Sequence, residues 1–415
     1  MLLYSFLMNT VNMSDTPNII DLLGLDDISH ILDFLPDNDK IRFLMTCKTS
    51  YCYREDINYT NDYNYNNIRH LSFYQKFKKV EFRVAKDYTN IPDNIKVLIF
   101  ENDFNEPIKF KIPNGIETII FGHNFNQSIR GVIPKSVTRI VFGDNFNQPI
   151  EDSIPYGITD LIFGRKFNQP IKVGNIPNSV INLKFGLSFN QPLEIGSIPN
   201  SIIDLKFGQD FNRPLKVGHI PSSVINLKFG SYYNKPLEVG HIPNSVINLK
   251  FGSQFNQLLG LGHIPNSVIN LVFGFYFDRN IEIGSIPNSV INLKLPSNYY
   301  RDVKIGVIPS SVKKLTTGSF VKRSLKEYIP DTITHLILPL YKEKMGIIPK
   351  NINYLKIESN YDTPFDKLLT NDLKQLDIPF DLYKKNEKYL SSRTKTLTKY
   401  VCRKRCTPRI KICMK

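Results

Sequence analysis

Phe189-Asn190-Gln191-Pro192-Leu193-Glu194-Ile195-Gly196-Ser197-Ile198-Pro199-Asn200-Ser201-Ile202-Ile203-Asp204-Leu205-Lys206-Phe207-Gly208 is one turn of a pattern that recurs every 21 or 22 residues. Its Ile-Pro step returns at Pro92, Pro113, Pro134, Pro155, Pro177 and onward to Pro349. A fixed period of this length marks a solenoid, in which one coil cannot bury its apolar face alone and neighbours must stack. From each Ile-Pro proline to the following core residue is six positions, as from Pro243 to Leu249. From that residue to the next aromatic is six again, as from Leu249 to Phe255. Only the return segment varies in length, from Phe104–Ile112 in the early repeats to Phe189–Ile198 later. An insertion is tolerated where backbone is least constrained, so the return is the outer arc and Leu-x-Phe the rigid strand.

Alternation within the strand agrees. In Asn182-Leu183-Lys184-Phe185, Leu183 and Phe185 point one way and Asn182 and Lys184 the other, which is strand periodicity. Gly186 and its equivalents end the strand with a turn. Asn105, Asn126, Asn147, Asn168, Asn190, Asn212, Asn234 and Asn256 each follow an aromatic. They read as an inward ladder whose amides satisfy buried turn backbone. The strand motif continues past the clear repeats at Leu315, Leu336, Leu355 and Leu376. The expected fold is mostly β, a parallel β solenoid with 21–22-residue coils.

The coils resemble the FNIP repeat: Phe-Asn-x-Pro-Leu/Ile, Ile-Pro-x-Ser-Val and Leu-x-Phe-Gly are matched between residues 98 and 295. That resemblance implies a leucine-rich-repeat-like interaction domain of a kind found mainly in amoebae and the large DNA viruses that infect them. It leaves the ligand open.

The N-terminal segment differs in kind. From Leu22 to Tyr53 the apolar spacing becomes helical, with Ile28, Ile31, Leu32 and Leu35, then Ile41 and Leu44 beyond Pro36. Pro36 closes the first helix and Asp37 is placed to cap the second. A helical unit this small cannot build a sound core alone, so its apolar residues call for a partner. Leu23-Gly24-Leu25-Asp26-Asp27-Ile28, Ile31-Leu32-Asp33-Phe34-Leu35-Pro36 and Cys47-Lys48 resemble an F-box. The resemblance implies docking on a Skp-type adaptor through Leu23, Ile28, Ile31, Leu32, Leu35, Pro36, Ile41 and Leu44, and through it on a cullin-based ubiquitin ligase. The usual Leu-Pro opening is Leu23-Gly24 here, and Ser50, beside Tyr51, stands where an aromatic is usual. The competing reading makes these helices a cap on the open end of the solenoid. Residues 66–90, with Leu71, Phe73, Val80 and Phe82, are an alternative source for that cap. The expected layout is an N-terminal arm (1–17), F-box-like helices (18–60), a solenoid (66–382; clear repeats 91–310) and a basic tail (383–415).

The chain has 415 residues and a formal charge of +15, unevenly spread. Lys384 to Lys415 holds twelve Lys and Arg against Glu387, a net of +11, while the rest holds 41 basic and 37 acidic groups. The tail reads first as a solvated terminal segment, with nucleic acid the disfavoured partner because its last fifteen residues lack interleaved aromatics. No apolar run approaches the ~18 residues of a membrane helix. A signal peptide is not expected, and Met13 is an alternative start. Five cysteines in two distant groups do not make a disulfide framework, which fits the cytoplasm or nucleus.

Two charge columns stand out. On the outer arc Lys172, Glu194, Lys216 and Glu238 alternate in sign, so neighbouring coils can pair. On the sheet face Lys184, Lys206, Lys228 and Lys250 repeat the same sign, beside Asn182, Asp204, Asn226 and Asn248. An acidic partner would relieve that repulsion; recent duplication is the competing account. Earlier coils carry Ile99, Ile120, Val141 and Ile162 at the lysine position, an apolar patch if it faces solvent. Together these form the candidate target-binding face. His219, His241 and His263 also stack, but Asn175, Ser197 and Ser285 at the equivalent position favour a polar turn over a metal site. No metal, cofactor or catalytic motif is expected. The sequence therefore predicts a monomeric, non-enzymatic adaptor that holds a Skp-type subunit and cullin complex at one end and a target protein on the solenoid face.

Overall fold

The computed structural model describes residues 25–46, 48–86, 90–296, 299, 301, 303–318, 328–339, 348–358, 365, 369, 373–402 and 407–414. The chain divides into two compact units, Met1–Arg165 and Lys166–Lys415.

The first unit opens with three helices, α1 (Leu25–Asp33), α2 (Asp37–Leu44) and α3 (Lys48–Cys52). Six parallel strands follow: β1 (Tyr59–Asn64), β2 (Phe77–Val84), β3 (Val97–Phe100), β4 (Thr118–Ile120), β5 (Arg139–Val141) and β6 (Asp160–Ile162), with a short helix α4 (Tyr65–Ile68) after β1. The sheet thus starts at Tyr59, earlier than expected. Val80 and Phe82 are buried in β2 as part of an added coil rather than a separate lid.

Pro36, not Asp37, is the N-cap of α2, and Pro36 has no side chain to bond the first turn. Asp37 turns outward from its own helix. Its Oδ2 accepts from the backbone N–H groups of Thr60 and Asn61, both at 2.7 Å, and from the Tyr63 hydroxyl at 2.9 Å. Lys40 Nζ donates to the Asn58 carbonyl at 2.7 Å and lies 3.6 Å from Asp37. Both side chains are buried. A sheet edge presents unpaired N–H and C=O groups, and α2 satisfies several of those on β1 with one buried ion pair. The helices therefore do cap this edge.

The second unit carries ten parallel strands: β7 (Asn182–Lys184), β8 (Asp204–Lys206), β9 (Asn226–Lys228), β10 (Asn248–Lys250), β11 (Asn270–Val272), β12 (Asn292–Lys294), β13 (Lys314–Thr316), β14 (His335–Leu338), β15 (Tyr354–Ile357) and β16 (Gln375–Pro379). Leu315, Leu336, Leu355 and Leu376 sit buried in the last four, where the strand spacing places them. Each three-residue strand from β7 to β12 buries only its central residue, and β13 buries Thr316 as well. The following Phe continues the ladder, as Phe185 N–H donates to Lys206 O at 2.9 Å.

Three repeating contacts explain the motif. Both Phe positions stack from coil to coil, as in Phe185–Phe207 at 5.8 Å and Phe189–Phe211 at 6.1 Å between centroids. The Ser after Ile-Pro donates to the preceding coil, as Ser245 Oγ does to Val224 O at 2.7 Å. The Asn after the aromatic accepts the next coil's backbone N–H, as Asn190 Oδ1 does from Asn212 at 3.0 Å. That ladder exists, but its members are half-buried, with Asn105 exposed, so it runs along the rim of the core rather than inside it.

The described residues of the segment 383–415 are not a free tail. α5 (Phe380–Lys385) and α6 (Glu387–Arg393) lead into an antiparallel hairpin, β17 (Thr394–Cys402) and β18 (Thr407–Met414), and β18 pairs with β16. Arg409 is buried against Asp377, with Nη2 to Oδ1 at 2.7 Å, and also donates to Ile357 O at 2.8 Å. Tyr400 OH donates to the other Asp377 oxygen at 2.7 Å. The expected solvated segment is thus a folded cap. Its edge strand β17 exposes Lys395 and Lys399 among threonines, a composition that discourages further strand pairing.

Candidate binding surfaces

Three surfaces of the described residues are candidates, one on the helices and two on the coils. On the helices, Ile28, Leu32, Ile41 and Leu44 are buried, whereas Ile31 is 46% and Phe34 78% exposed. Leu35 is half-buried and Pro36 exposed. The exposed apolar surface here is therefore Ile31 of α1 and Phe34 just past its end, and the ring of Phe34 rests edge-on against His30 at 5.4 Å. Phe34 is the large exposed apolar residue that helical spacing alone does not single out. Ser50, in the expected aromatic position, is buried and donates to Leu44 O at the end of α2. Leu23 and Cys47 lie outside the described residues.

The sheet face carries the predicted columns in register. Ile99, Ile120, Val141 and Ile162 pair successively within the first unit, each half-buried. Lys184, Lys206, Lys228 and Lys250 pair successively within the second unit, all exposed, until Val272 interrupts them. No salt bridge among the described residues relieves Lys184, Lys206 or Lys228. In the adjacent column Asn248 Nδ2 donates to Asn226 Oδ1, Asn270 Nδ2 to Asn248 Oδ1, and Asn292 Nδ2 to Asn270 Oδ1. A shallow depression of about 170 Å³ lies between Lys206, Lys228, Lys250 and Asn270.

The outer arc of the second unit holds a surface that the sequence reading missed. Val173, Ile195, Val217, Val239, Leu261, Ile283 and Ile305 stand one per coil at 61–78% exposure. Each precedes a glycine of positive φ, between 78° and 89°. From Gly196 to Gly306, a Cβ on the glycine would touch the aliphatic side chain of the coil before. The glycine thus both turns the chain and lets the ridge lie close across it. An adjoining groove of about 870 Å³ is lined by Ile195, Val217 and successive Ile-Pro turns. The alternating Lys172, Glu194, Lys216 and Glu238 flank the ridge, exposed, and among the described residues no ion pair joins them to one another. The expected pairing between neighbouring coils is not made.

The histidine column has a turn role. His219, His241 and His263 accept through Nδ1 from the backbone N–H groups of Lys216, Glu238 and Gly260, at 3.1–3.2 Å. Asn175 Oδ1 does the same for Lys172 at 3.0 Å. Burial, then Lys216 and His241, hold the His219 pKa below its usual value. An acceptor nitrogen must be unprotonated, so the fold favours the neutral ring. The unfolded chain therefore takes up the proton first, and this contribution to stability is present above about pH 6.5 and lost as pH falls through the lowered pKa. His219→Asn is expected to keep the turn and remove that part of the acid sensitivity, seen as a smaller fall in urea midpoint between neutral and mildly acidic pH.

These coils make the protein a leucine-rich-repeat-like parallel β solenoid with helices at its N-terminal edge. The chain belongs to the FNIP repeat family, whose pattern matches at residues 89–124, 125–166, 167–210, 211–254 and 255–298. A protein of Acanthamoeba polyphaga mimivirus named for an F-box and FNIP repeats is 38% identical over 106 residues, 22% of this chain and 36% of that protein. Another mimivirus protein, named for an F-box, is 42% identical over 79 residues, 19% of this chain and 59% of its own. The matches thus span less than two thirds of each relative. Among solved structures, CroV588, described as a circular leucine-rich-repeat protein, superposes with a TM-score of 0.61 at 30% identity, over 73% of this chain and 50% of that one.

Proposed function

We propose that the chain is the substrate-recruiting adaptor of a cullin-type ubiquitin ligase, acting in the cytoplasm. α1 and α2 engage a Skp-type subunit, and the sheet face of the solenoid holds a target protein. The observation that carries this reading is the division of labour within the helices. Asp37 and Lys40 fasten α2 to β1, while Ile31 and Phe34 of the same helical unit remain exposed. A pure cap gains nothing from two large apolar side chains in water, whereas burying each against a partner is worth about 1.5–3 kcal/mol. On the sheet face, the lysine column, with no salt bridge at Lys184, Lys206 or Lys228 among the described residues, suits an acidic surface and the Ile99–Ile162 column an apolar one. Holding target and ligase on one chain raises their effective concentration, so proximity rather than chemistry is the mechanism.

The capping contact favours one other reading, a scaffold whose helices only close the sheet. Size-exclusion chromatography of the full chain mixed with a purified Skp-type adaptor separates the two. Coelution as one complex is expected; separate elution from a folded chain would leave the scaffold.

A further inference from the structure

We infer that the outer-arc ridge of the second unit is a homodimer interface, in which two copies of this chain pack antiparallel about a two-fold axis between the coils of Val239 and Leu261. The ridge runs over seven coils, about 29 Å at strand spacing. A continuous aliphatic strip of this length on water marks a contact surface. Its charges say what the contact is. Reading along the ridge, the residue before each aliphatic is Lys172, Glu194, Lys216, Glu238, Gly260, Glu282 and Lys304. All six charged groups are exposed, and none is paired with its neighbour along the ridge. Among the described residues, His241 of the same coil lies beside this column, its Nε2 3.8 Å from the Glu238 carboxylate.

An alternating column is complementary to itself when reversed about a point between two coils. With the axis between Val239 and Leu261, Glu194 meets Lys304, Lys216 meets Glu282 and Glu238 meets Gly260, each twice by symmetry. An axis passing through the Glu238 coil would set Lys172 against Lys304 and Glu194 against Glu282, which is repulsive. Unshifted parallel packing would oppose like charges throughout, and a one-coil shift would build an open fibre instead of a closed pair. Moving the axis one coil towards Lys172 keeps the charge match but leaves Ile305 uncovered instead of the less exposed Val173. The chosen axis also lies beside the one coil that lacks a charge at this position. There Gly260 is flanked by Leu258 and by Leu261, the most exposed residue of the ridge. Interfaces are depleted of charge at their centre and carry it towards the rim, as here.

The test is sedimentation velocity on the full chain. A dimer at micromolar concentration is expected. Val239→Asp/Leu261→Asp is expected to sediment as a monomer with an unchanged melting temperature, since both side chains are exposed. Lys216→Glu alone and Glu282→Lys alone should each weaken the dimer by about tenfold, because every broken pair becomes a repulsion. The combined Lys216→Glu/Glu282→Lys chain should dimerise like the wild type. A monomeric wild type overturns the proposal and leaves the ridge to a different protein partner. So does a dimer indifferent to Val239→Asp/Leu261→Asp, or a charge swap that fails to restore what the single changes remove.

Discussion

Gly252→Ala is expected to destabilise the second unit by about 3 kcal/mol or more, at the far end of what one substitution does. The position is not in the left-handed region, so backbone strain is not the reason. A Cβ there would stand 1.7 Å from the carbonyl oxygen of Gly230 on the preceding coil. Gly230 in turn would meet Gly208 O at 1.9 Å, and Gly208 would meet Gly186 O at 1.7 Å. These glycines form a column along which coils touch backbone to backbone, so no side chain can swing away to make room. Because each coil is fixed by both neighbours, the displacement also spoils the Phe251–Phe255 and Phe229–Phe251 stacks beside it. Gly115→Ala is the control: its nearest atom, Ile95 O, is 3.9 Å away, and a change within about 0.5 kcal/mol is expected. Urea unfolding of the two variants measures the contrast. Equal midpoints would mean that coil spacing is not set by this column.

Arg409→Leu is expected to cost about 3–5 kcal/mol, because it strands a buried carboxylate. Asp377 is 5% exposed and Arg409 4%. Without the guanidinium, Asp377 keeps only the hydroxyls of Tyr400 and Tyr354, at 2.7 and 3.5 Å, and Ile357 O loses its donor from Arg409. Burial, and then Asp377, already push the Tyr354 pKa up to about 12, so that phenol stays a donor. Asp377→Leu/Arg409→Leu should cost clearly less than the single change, since an apolar pair needs no partners. Fraying of the β17–β18 hairpin, followed by hydrogen exchange, would accompany the loss. A single variant as stable as the wild type would show that this pair does not hold the cap in place.

The repeat was legible because its information is local and redundant. Leu183, Leu205, Leu227 and Leu249 announce the strand with the same spacing each time, and one reading serves every coil. Features that depend on contact between coils were less legible. Gly186 and its equivalents read as turn formers, but the demand on them is close approach of two backbones, which no single coil displays. The alternating charges of Lys172 to Glu238 suggested pairing that the structure does not make. The aliphatics beside them, Val173, Ile195 and Val217, each precede a glycine at a constant interval, a signal that shows only when coils are compared with one another. At the C-terminus net charge outweighed pattern. In β18 Ile410 and Ile412 are buried on either side of exposed Lys411, a short alternation that the run of basic residues hides, whereas β17 is exposed from Lys395 to Lys399, Leu397 included. Among the helices, Asp37 had the residue type of a cap, yet its hydrogen bonds go to β1, some 23 residues away. Sequence spacing carries no sign of that partner.

The adaptor reading is tested most directly by calorimetric titration of a purified Skp-type adaptor into the full chain, wild type against Ile31→Asp/Phe34→Asp. Both side chains are exposed, so the variant should fold and melt as the wild type does. The account predicts saturable binding by the wild type and at least about a hundredfold loss in the variant, the equivalent of two buried apolar contacts. No heat of binding from a folded wild type, or equal affinity in the variant, would contradict it.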